Sequence, residues 1–187
     1  MNVVKLATNA ILFIAVVLLS YKLYAIIQEP IEFEKEKDAR EKVVIKNIEE
    51  IKEAQLAYKD LKGHFANDWN KLLNAIKNDS LLEIKITGNP DDSMVVTTYD
   101  TFMISMIQKV FPGGIDLAEL PLIPFSEGER FAIAADKIDV NRVKIPVFEV
   151  KATQAQYLKG MNEKYIEDSK ALILGSLTEG RYTGNWE

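Results

Sequence analysis

A long apolar stretch near the amino terminus limits what this chain can fold into. It runs from Leu6 to Ile27 and contains a single charged residue, Lys22. As a helix rising about 1.5 Å per residue, the stretch reaches roughly 33 Å, which is enough to cross the hydrocarbon core of a bilayer. The sequence therefore predicts a protein held in a membrane by one amino-terminal span.

A cleaved secretory signal is the alternative explanation for an apolar amino terminus. Such a signal has a shorter apolar region and ends in small residues at its cleavage site. Here the stretch continues after Ser20 with bulky residues, including Leu23. The long stem of lysine can reach the headgroups, and tyrosine suits the membrane–water boundary. We therefore interpret the segment as an uncleaved anchor whose membrane boundary is marked by Tyr21, Lys22 and Tyr24.

The charges that flank the span do not agree on one orientation. Lys5 precedes it, and four cations follow it at Lys35, Lys37, Arg40 and Lys42. A literal count of these cations would place the carboxyl-terminal part of the chain in the cytoplasm. However, the cations after the span alternate with acids, and a tail of five residues before a span commonly stays inside. The carboxyl-terminal domain is therefore predicted to lie on the outer side of the membrane.

The composition of the chain excludes several classes of function. The chain has 187 residues, a net charge of −5 and a pI near 5.1. This acidity disfavours a nucleic-acid-binding surface, so no nucleic-acid partner is predicted. The absence of cysteine from the sequence excludes disulfides, thiolate nucleophiles and zinc–cysteine sites. What remains after the anchor has the size of one ordinary domain.

Sequence pattern divides the chain into three parts. Residues 1–29 are predicted to form the transmembrane anchor, residues 30–42 a charged helical spacer, and residues 43–187 a soluble α+β domain. Pro30 is predicted to kink or end the first helix, because proline lacks a backbone donor and its ring clashes with the preceding turn. The spacer is expected to be solvated, with acid-before-base pairs four residues apart on its surface.

An amphipathic helix is predicted to begin near residue 43. Apolar residues recur there at intervals of three and four, which is typical of a helix with one buried face. One member of this stripe is polar, and its amide needs hydrogen-bond partners if it is buried. The stripe is predicted to pack on the domain, or alternatively to contact another subunit; its members are Val44, Ile48, Ile51, Gln55 and Tyr58.

The middle of the chain changes from a helical to a strand pattern. A short helix is predicted after Asn67 or Asp68, followed by strands at residues 81–87 and 94–99 that are joined by a turn at residues 88–92. A further helix is predicted over Phe102, Met103, Met106, Ile107 and Val110.

Two strands and a helix are predicted towards the carboxyl end. The strands, at residues 129–138 and 143–153, are expected to pair as an antiparallel hairpin, with Val143, Ile145 and Val147 facing the core and Phe148 as a further candidate. Residues 154–173 are predicted to be helical, with Gly160 as a candidate break. The final residues form a polar tail, in which Trp186 is expected to dock on the domain.

No group of residues has the spacing of an active site. The one histidine, His64, has no acidic neighbour in the sequence and is expected to be a solvated loop residue. Asp91, Asp92 and Asp100 could approach a calcium ion, although acids in turns are more often without a metal. The chain is therefore predicted not to be an enzyme, and no cofactor or metal is predicted.

Several motifs of the chain resemble those of small single-span envelope proteins of Bacteroidota. After the anchor and spacer come Val44-Ile45-x-x-Ile48-x-x-Ile51-Lys52-x-Ala54-Gln55-x-Ala57-Tyr58 and then Gly63-His64-Phe65. The strand from Val143 to Val150, Tyr157-Leu158-Lys159-Gly160 and the tail ending Gly184-Asn185-Trp186 add to the resemblance. Those envelope proteins look in turn like type IV pilins and type II secretion pseudopilins.

The chain departs from the pilin pattern at its amino terminus. A pilin has a leader ending in glycine and an acidic residue early in its apolar helix. Lys5-Leu6-Ala7 has no glycine, and residues 7–10 contain no glutamate. The resemblance therefore bears on architecture more than on leader processing or polymerisation.

The resemblance implies a pilin-like α+β fold, in which a transmembrane helix continues into an amphipathic helix packed on a small, mainly antiparallel sheet. It also implies a non-enzymatic structural or assembly subunit of a bacterial envelope complex, anchored in the inner membrane with its domain in the periplasm. The expected partners are the lipid bilayer and other membrane or envelope proteins, further copies of the chain included. The alternative is a membrane-anchored binding module that holds a peptide, glycan or lipoprotein.

Retention of the anchor can be tested directly. The intact mass of the membrane-bound protein is expected to include the residues before Gln28, and carbonate washing should leave the protein in the membrane. A mature amino terminus near Gln28 would contradict the prediction and favour the cleaved signal.

Overall fold

The fold is built on one very long helix. The computed structural model describes residues 3–87 and 98–187, and its helix α1 runs without interruption through the 60 residues Val3–Lys62. Every large apolar side chain from Ile11 to Ile27 is at least 51% exposed. Within the described part of the chain, α1 is the one helix long and apolar enough to cross a membrane. The rest of the chain packs around its carboxyl-terminal half.

Of the two outcomes predicted for Pro30, a helix end is wrong, because α1 continues through this residue. A proline inside a helix removes one backbone hydrogen bond and costs about 3 kcal/mol. Contacts with the domain on both sides of the proline offset this cost. The Asn162 amide donates a hydrogen bond to the Glu29 carboxylate, and the ring centroids of Phe33 and Tyr165 are 5.1 Å apart.

The stretch 30–42 is helical and most of its side chains are exposed, but parts of it contact the domain. Phe33 is only 6% exposed. The guanidinium of Arg40 donates a hydrogen bond of 2.9 Å to the carbonyl oxygen of Lys159. The contacts between α1 and the domain therefore begin near Glu29 rather than at residue 43.

The end of α1 and the start of α2 are set by local signals. Gly63 follows the helix with a φ of 75°, the left-handed conformation that ends many helices. Asp68 caps α2 (Trp69–Asn78), as predicted, and its carboxylate accepts a hydrogen bond of 2.7 Å from the backbone N–H of Asn70.

A two-stranded antiparallel sheet follows α2. It consists of β1 (Ser80–Thr87) and β2 (Thr98–Ser105), and the short helix α3 (Met106–Val110) comes next. The helix predicted over Phe102 and Met103 is therefore wrong at its start, because both residues pair with β1 as part of β2. Long-range strand pairing overrides the local helical pattern here.

The predicted carboxyl-terminal hairpin is confirmed. Strands β3 (Ala132–Val140) and β4 (Val143–Ala152) pair antiparallel along their whole length. Asn141 and Arg142 join them with φ values of 52° and 68°, which is the backbone conformation that a tight two-residue hairpin turn requires.

The prediction that Val143 faces the core is wrong. This side chain is 60% exposed, because it begins β4 beside the turn, where the hairpin extends past the other elements. Val147, Phe148 and Val150, further along the same strand, are fully buried. The inner half of the hairpin therefore contributes to the core, and its turn does not.

The helix predicted at residues 154–173 is also wrong. Two single helical turns, α4 (Gln154–Tyr157) and α5 (Glu163–Ile166), are followed by β5 (Leu172–Gly175), which pairs antiparallel with β4. Gly160 interrupts the helical path with a φ of 80°. The edge of β4 then pairs with β5 to complete a three-stranded sheet in the order β3-β4-β5.

The carboxyl-terminal tail is docked, as predicted for Trp186, which packs against the core. The Asn185 side chain accepts a hydrogen bond of 3.0 Å from the backbone of Ile173 and donates one of 2.8 Å to the carbonyl of Ala171. The backbone N–H of Asn185 also donates to the carbonyl of Ile173 at 2.9 Å. These bonds fix the tail along β5.

The apolar stripe of α1 packs within the chain, against α2, α3, α4 and β5. Gln55 is fully buried within it; its amide nitrogen donates to the carbonyl of Ala66, and its oxygen accepts from the Ala66 N–H, both at 2.9 Å. These bonds join α1 to the segment before α2. The other stripe members are at most 6% exposed: Val44, Ile48, Ile51 and Tyr58.

Replacing Gln55 with alanine tests the importance of these paired bonds. Because Gln55→Ala leaves both backbone groups of Ala66 without a partner in the core, it is expected to reduce the free energy of unfolding by about 1–3 kcal/mol. Urea denaturation of the full chain in detergent measures the change. The matched control is Glu53→Ala, an exposed position on the same helix, which should change the midpoint little. An unchanged midpoint for Gln55→Ala would contradict the prediction.

Candidate interaction surfaces

The boundary residues lie where α1 extends away from the domain. Tyr21 and Tyr24 are 71% and 63% exposed, and Lys22 is also exposed. None of the most apolar window of the helix is buried by the domain. This part of α1 therefore presents an apolar surface with an aromatic and cationic end, a combination suited to lipid.

Arg40 connects α1 to the turn that follows α4. Its guanidinium donates to the carbonyl oxygens of Lys159 at 2.9 Å and Tyr157 at 3.4 Å, and it lies 4.9 Å from the ring centroid of Phe125. Glu36, one helical turn earlier, pairs with Arg40 at 2.9 Å. One side chain of the predicted spacer thus satisfies two carbonyl groups of the domain.

A second polar contact lies next to Arg40. The Tyr157 hydroxyl oxygen is 2.9 Å from a Glu41 carboxylate oxygen and 2.9 Å from the carbonyl oxygen of Lys170. Burial, and then the hydrogen bond to Glu41, raise the pKa of the Tyr157 phenol well above its ordinary value. The phenol is therefore neutral at physiological pH and serves as a hydrogen-bond donor between α1 and the domain.

The β1–β2 sheet turns an apolar face outward. Residues that share a face of a sheet alternate along each strand, and directly paired residues lie on the same face. Leu82 pairs with Met103, and Ile84 pairs with Thr101. Leu82, Ile84 and Met103 are 63%, 55% and 65% exposed. The outward face therefore carries three exposed, large apolar side chains.

The opposite face of the same sheet carries the charges. Glu83, Lys85 and Asp100 lie on it, together with Phe102, which is 44% exposed, and with Leu81 and Ile104, which contact the core. Among the described residues of the two strands, all the charged ones lie on this face. We refer to the outward face, which has no formal charge, as the hairpin face; its members are Ser80, Leu82, Ile84, Thr101, Met103 and Ser105.

A groove runs beside the hairpin face. It lies between α1, β1 and α3 and has a volume of about 540 Å³. Leu82 belongs to both the groove and the hairpin face, so the two surfaces are continuous. The lining combines leucine side chains with acids and one lysine: Glu53, Leu56, Ala57, Asp60, Leu61, Leu81, Leu82, Lys109 and Val110.

Of the residues considered for chemistry, those that the structure describes do not form a site. His64 is exposed, with its Nδ1 3.0 Å from the carbonyl oxygen of Lys62. Asp91 and Asp92, considered for calcium, lie outside the described residues, as do the predicted turn at 88–92 and the start of the strand predicted at 94–99. Among residues 3–87 and 98–187, no group of three or more histidines or acids is placed to hold a metal ion.

Comparison with protein-family models, with curated proteins and with solved structures finds no match for this chain.

Sequence reasoning missed the hairpin face. The alternation of Leu82, Glu83, Ile84 and Lys85 indicates a strand, but alternation alone does not say which face is buried. Leu81, which precedes them, faces the core instead.

The contact between Tyr157 and Glu41 has a consequence for alkaline stability. Folding raises the pKa of this phenol. The contribution of the phenol to the free energy of unfolding is therefore fully present below the ordinary tyrosine pKa near 10, and it is lost as the pH rises above that pKa. Tyr157→Phe is expected to reduce the free energy of unfolding by about 1–3 kcal/mol near neutral pH. The difference from the unmodified chain should narrow above about pH 10.

Urea denaturation of the full chain in detergent, repeated from neutral to alkaline pH, measures both effects. Tyr24→Phe, at an exposed position on α1, makes the same chemical change and should leave the midpoint unchanged. A difference between Tyr157→Phe and the unmodified chain that stays constant with pH would contradict the assignment.

Proposed function

We propose that this chain is a non-enzymatic structural or assembly subunit of a bacterial envelope complex. In this proposal α1 anchors it in the inner membrane, the domain lies in the periplasm, and the hairpin face contacts further copies of the chain. The observation that carries the proposal is the exposed apolar side of the β1–β2 sheet, formed by Leu82, Ile84 and Met103.

Membrane anchoring favours contacts between the sides of neighbouring copies. Because α1 continues from the apolar stretch into the domain, every inserted copy has the same orientation and holds its domain at the same height. Equivalent surfaces of neighbouring copies then face the same layer of solvent. The hairpin face lies beside the part of α1 near Leu61, far from the apolar stretch, and it is therefore free of the membrane.

Electrostatics favour the same surface. A net charge of −5 makes two copies repel each other in general. On the hairpin face this repulsion is weakest, because none of its residues carries a formal charge. Burying Leu82, Ile84 and Met103 between two copies removes apolar area from water at about 25 cal/mol per Å². Three large exposed apolar side chains on one small sheet are typical of an interaction site.

The architecture supports an envelope role without identifying the complex. A long amino-terminal helix with small antiparallel sheets is the arrangement expected from the resemblance to the Bacteroidota envelope proteins and, through them, to pilins. The absence of glutamate from residues 7–10 removes the charge that pilins use between subunits. We therefore propose lateral association in the membrane rather than a pilin-type filament.

The groove favours a second candidate function, that of a membrane-anchored binding module. Its leucines would cover an apolar ligand surface, and Glu53 and Asp60 would attract positive charge. A peptide with apolar and cationic side chains fits this lining best. Binding of such a peptide to a monomer, lost in Leu56→Asp, would favour this second function.

Single cysteines test the first proposal cleanly, because the natural chain has none. Lys85→Cys, outside the proposed interface, is expected to react with a membrane-impermeant maleimide in intact spheroplasts, which would place the domain in the periplasm. A short bismaleimide added to membranes that carry Met103→Cys should give a product of twice the 21.2 kDa mass of one chain. The dimer is expected because equivalent hairpin faces meet.

The matched control is Lys85→Cys, an exposed residue on the opposite face of the same sheet. It should react with the maleimide and yield little dimer. Equal dimer yields from both variants would indicate random collision and contradict the interface. Labelling only after lysis would place the domain in the cytoplasm. Cross-links only to a different protein would show that the hairpin face contacts that protein rather than a second copy of the chain.

A further inference from the structure

A segment of the domain lies beside the point where the apolar stretch of α1 ends. The Asn162 amide, just before α5, donates a hydrogen bond to the carboxylate of Glu29. One helical turn further along α1, Phe33 packs on Tyr165 of α5, with ring centroids 5.1 Å apart and ring planes inclined at 40°. These two contacts fix the height of α5 along the helix axis.

The height of α5 can be compared with the thickness of a bilayer. At about 1.5 Å per residue, Glu29 lies roughly 3 Å and Phe33 roughly 9 Å beyond Ile27, the last residue of the apolar stretch. The headgroup layer on each side is about 5–8 Å thick, from a hydrocarbon core of about 30 Å within a total of about 40–45 Å. Asn162 and Tyr165, the partners of Glu29 and Phe33, therefore lie in or immediately above the headgroup layer when α1 spans the bilayer.

We propose that the segment 160–170 rests on the membrane and contacts phospholipid headgroups. This inference depends on the span assigned to α1 under the proposed function, but not on self-association. Most side chains of the segment are exposed, and Tyr165 is a residue type that favours the membrane–water boundary. Its ring lies on Phe33, at the height where an aromatic boundary is expected.

The charges of the segment indicate which lipid surface it fits. Cations and acids alternate along it, in Glu163, Lys164, Glu167, Asp168 and Lys170. The lysines can bind lipid phosphate, and the carboxylates can bind the ammonium group of a zwitterionic headgroup. A purely anionic surface would repel the three acids, so the segment fits zwitterionic phospholipids such as phosphatidylethanolamine.

The neighbouring charges do not alter this balance. Lys159, which precedes the segment, forms an ion pair of 2.7 Å with Glu127. Lys164 remains on the surface, with its ammonium group 5.1 Å from the ring centroid of Tyr165. The surface presented beside the end of the span is therefore mixed in charge rather than basic.

The test measures the depth of single-cysteine labels in the full chain reconstituted into nanodiscs of phosphatidylcholine and phosphatidylethanolamine. A fluorophore is attached in three variants: Glu163→Cys in α5, Leu18→Cys within the span, and Asp60→Cys, an exposed position on α1 roughly 46 Å beyond Glu29. The quencher is a nitroxide carried on the lipid headgroup. The Glu163→Cys label is expected to be quenched several-fold more than the Asp60→Cys label.

A second set of nanodiscs includes phosphatidylglycerol. The added anionic lipid is expected to leave the quenching at Glu163→Cys unchanged or reduced, and an increase would overturn the assignment to zwitterionic headgroups. A different result would be a Leu18→Cys label in the hydrocarbon together with a Glu163→Cys label that is quenched no more than the Asp60→Cys label. This result would overturn the headgroup contact but would still support the membrane span of α1. A Leu18→Cys label in water would overturn the anchor, and with it both proposals.

Discussion

The fold depends on one helix that has to satisfy two different environments. Over its first part α1 exposes apolar side chains all around, and over its second part it buries a stripe from Val44 to Tyr58 against the domain. A helix can do both because its backbone hydrogen bonds are internal and need no partner from either environment. The contacts of α2, α3, α4 and β5 with α1 then determine where the domain is held.

Polar contacts set the position of the domain along this helix more specifically than the apolar stripe does. An apolar face tolerates small displacements, but a buried amide or guanidinium loses its hydrogen bonds when displaced. Gln55 forms hydrogen bonds with both backbone groups of Ala66. Arg40 donates to two carbonyl oxygens at the carboxyl end of α4, and Glu41 accepts a hydrogen bond from Tyr157. Among the described residues, no buried side-chain nitrogen or oxygen lacks a hydrogen-bond partner.

This fixed position gives the two small sheets different surroundings. The inner half of the β3-β4-β5 sheet buries Phe148 and Val150 in the core, whereas the β1–β2 sheet reaches the core through Leu81 and turns Leu82 and Met103 outward. A two-stranded sheet is only marginally stable alone in water. An uncovered apolar face on such a sheet is therefore the feature of the domain that a partner would stabilise most.

The sequence by itself determined the features that depend on neighbouring residues: the apolar stretch, the amphipathic stripe with Gln55, a helix cap at Asn67 or Asp68 and the β3–β4 hairpin. Tertiary structure decided the continuity of α1 through Pro30, the replacement of the helix at 154–173 by two turns and β5, and the outward face of β1–β2. Each of these results from contacts between residues far apart in the chain, such as Glu29 with Asn162 or β5 with β4. Local periodicity carries no information about such partners, so it could identify the elements but not the surfaces that they leave exposed.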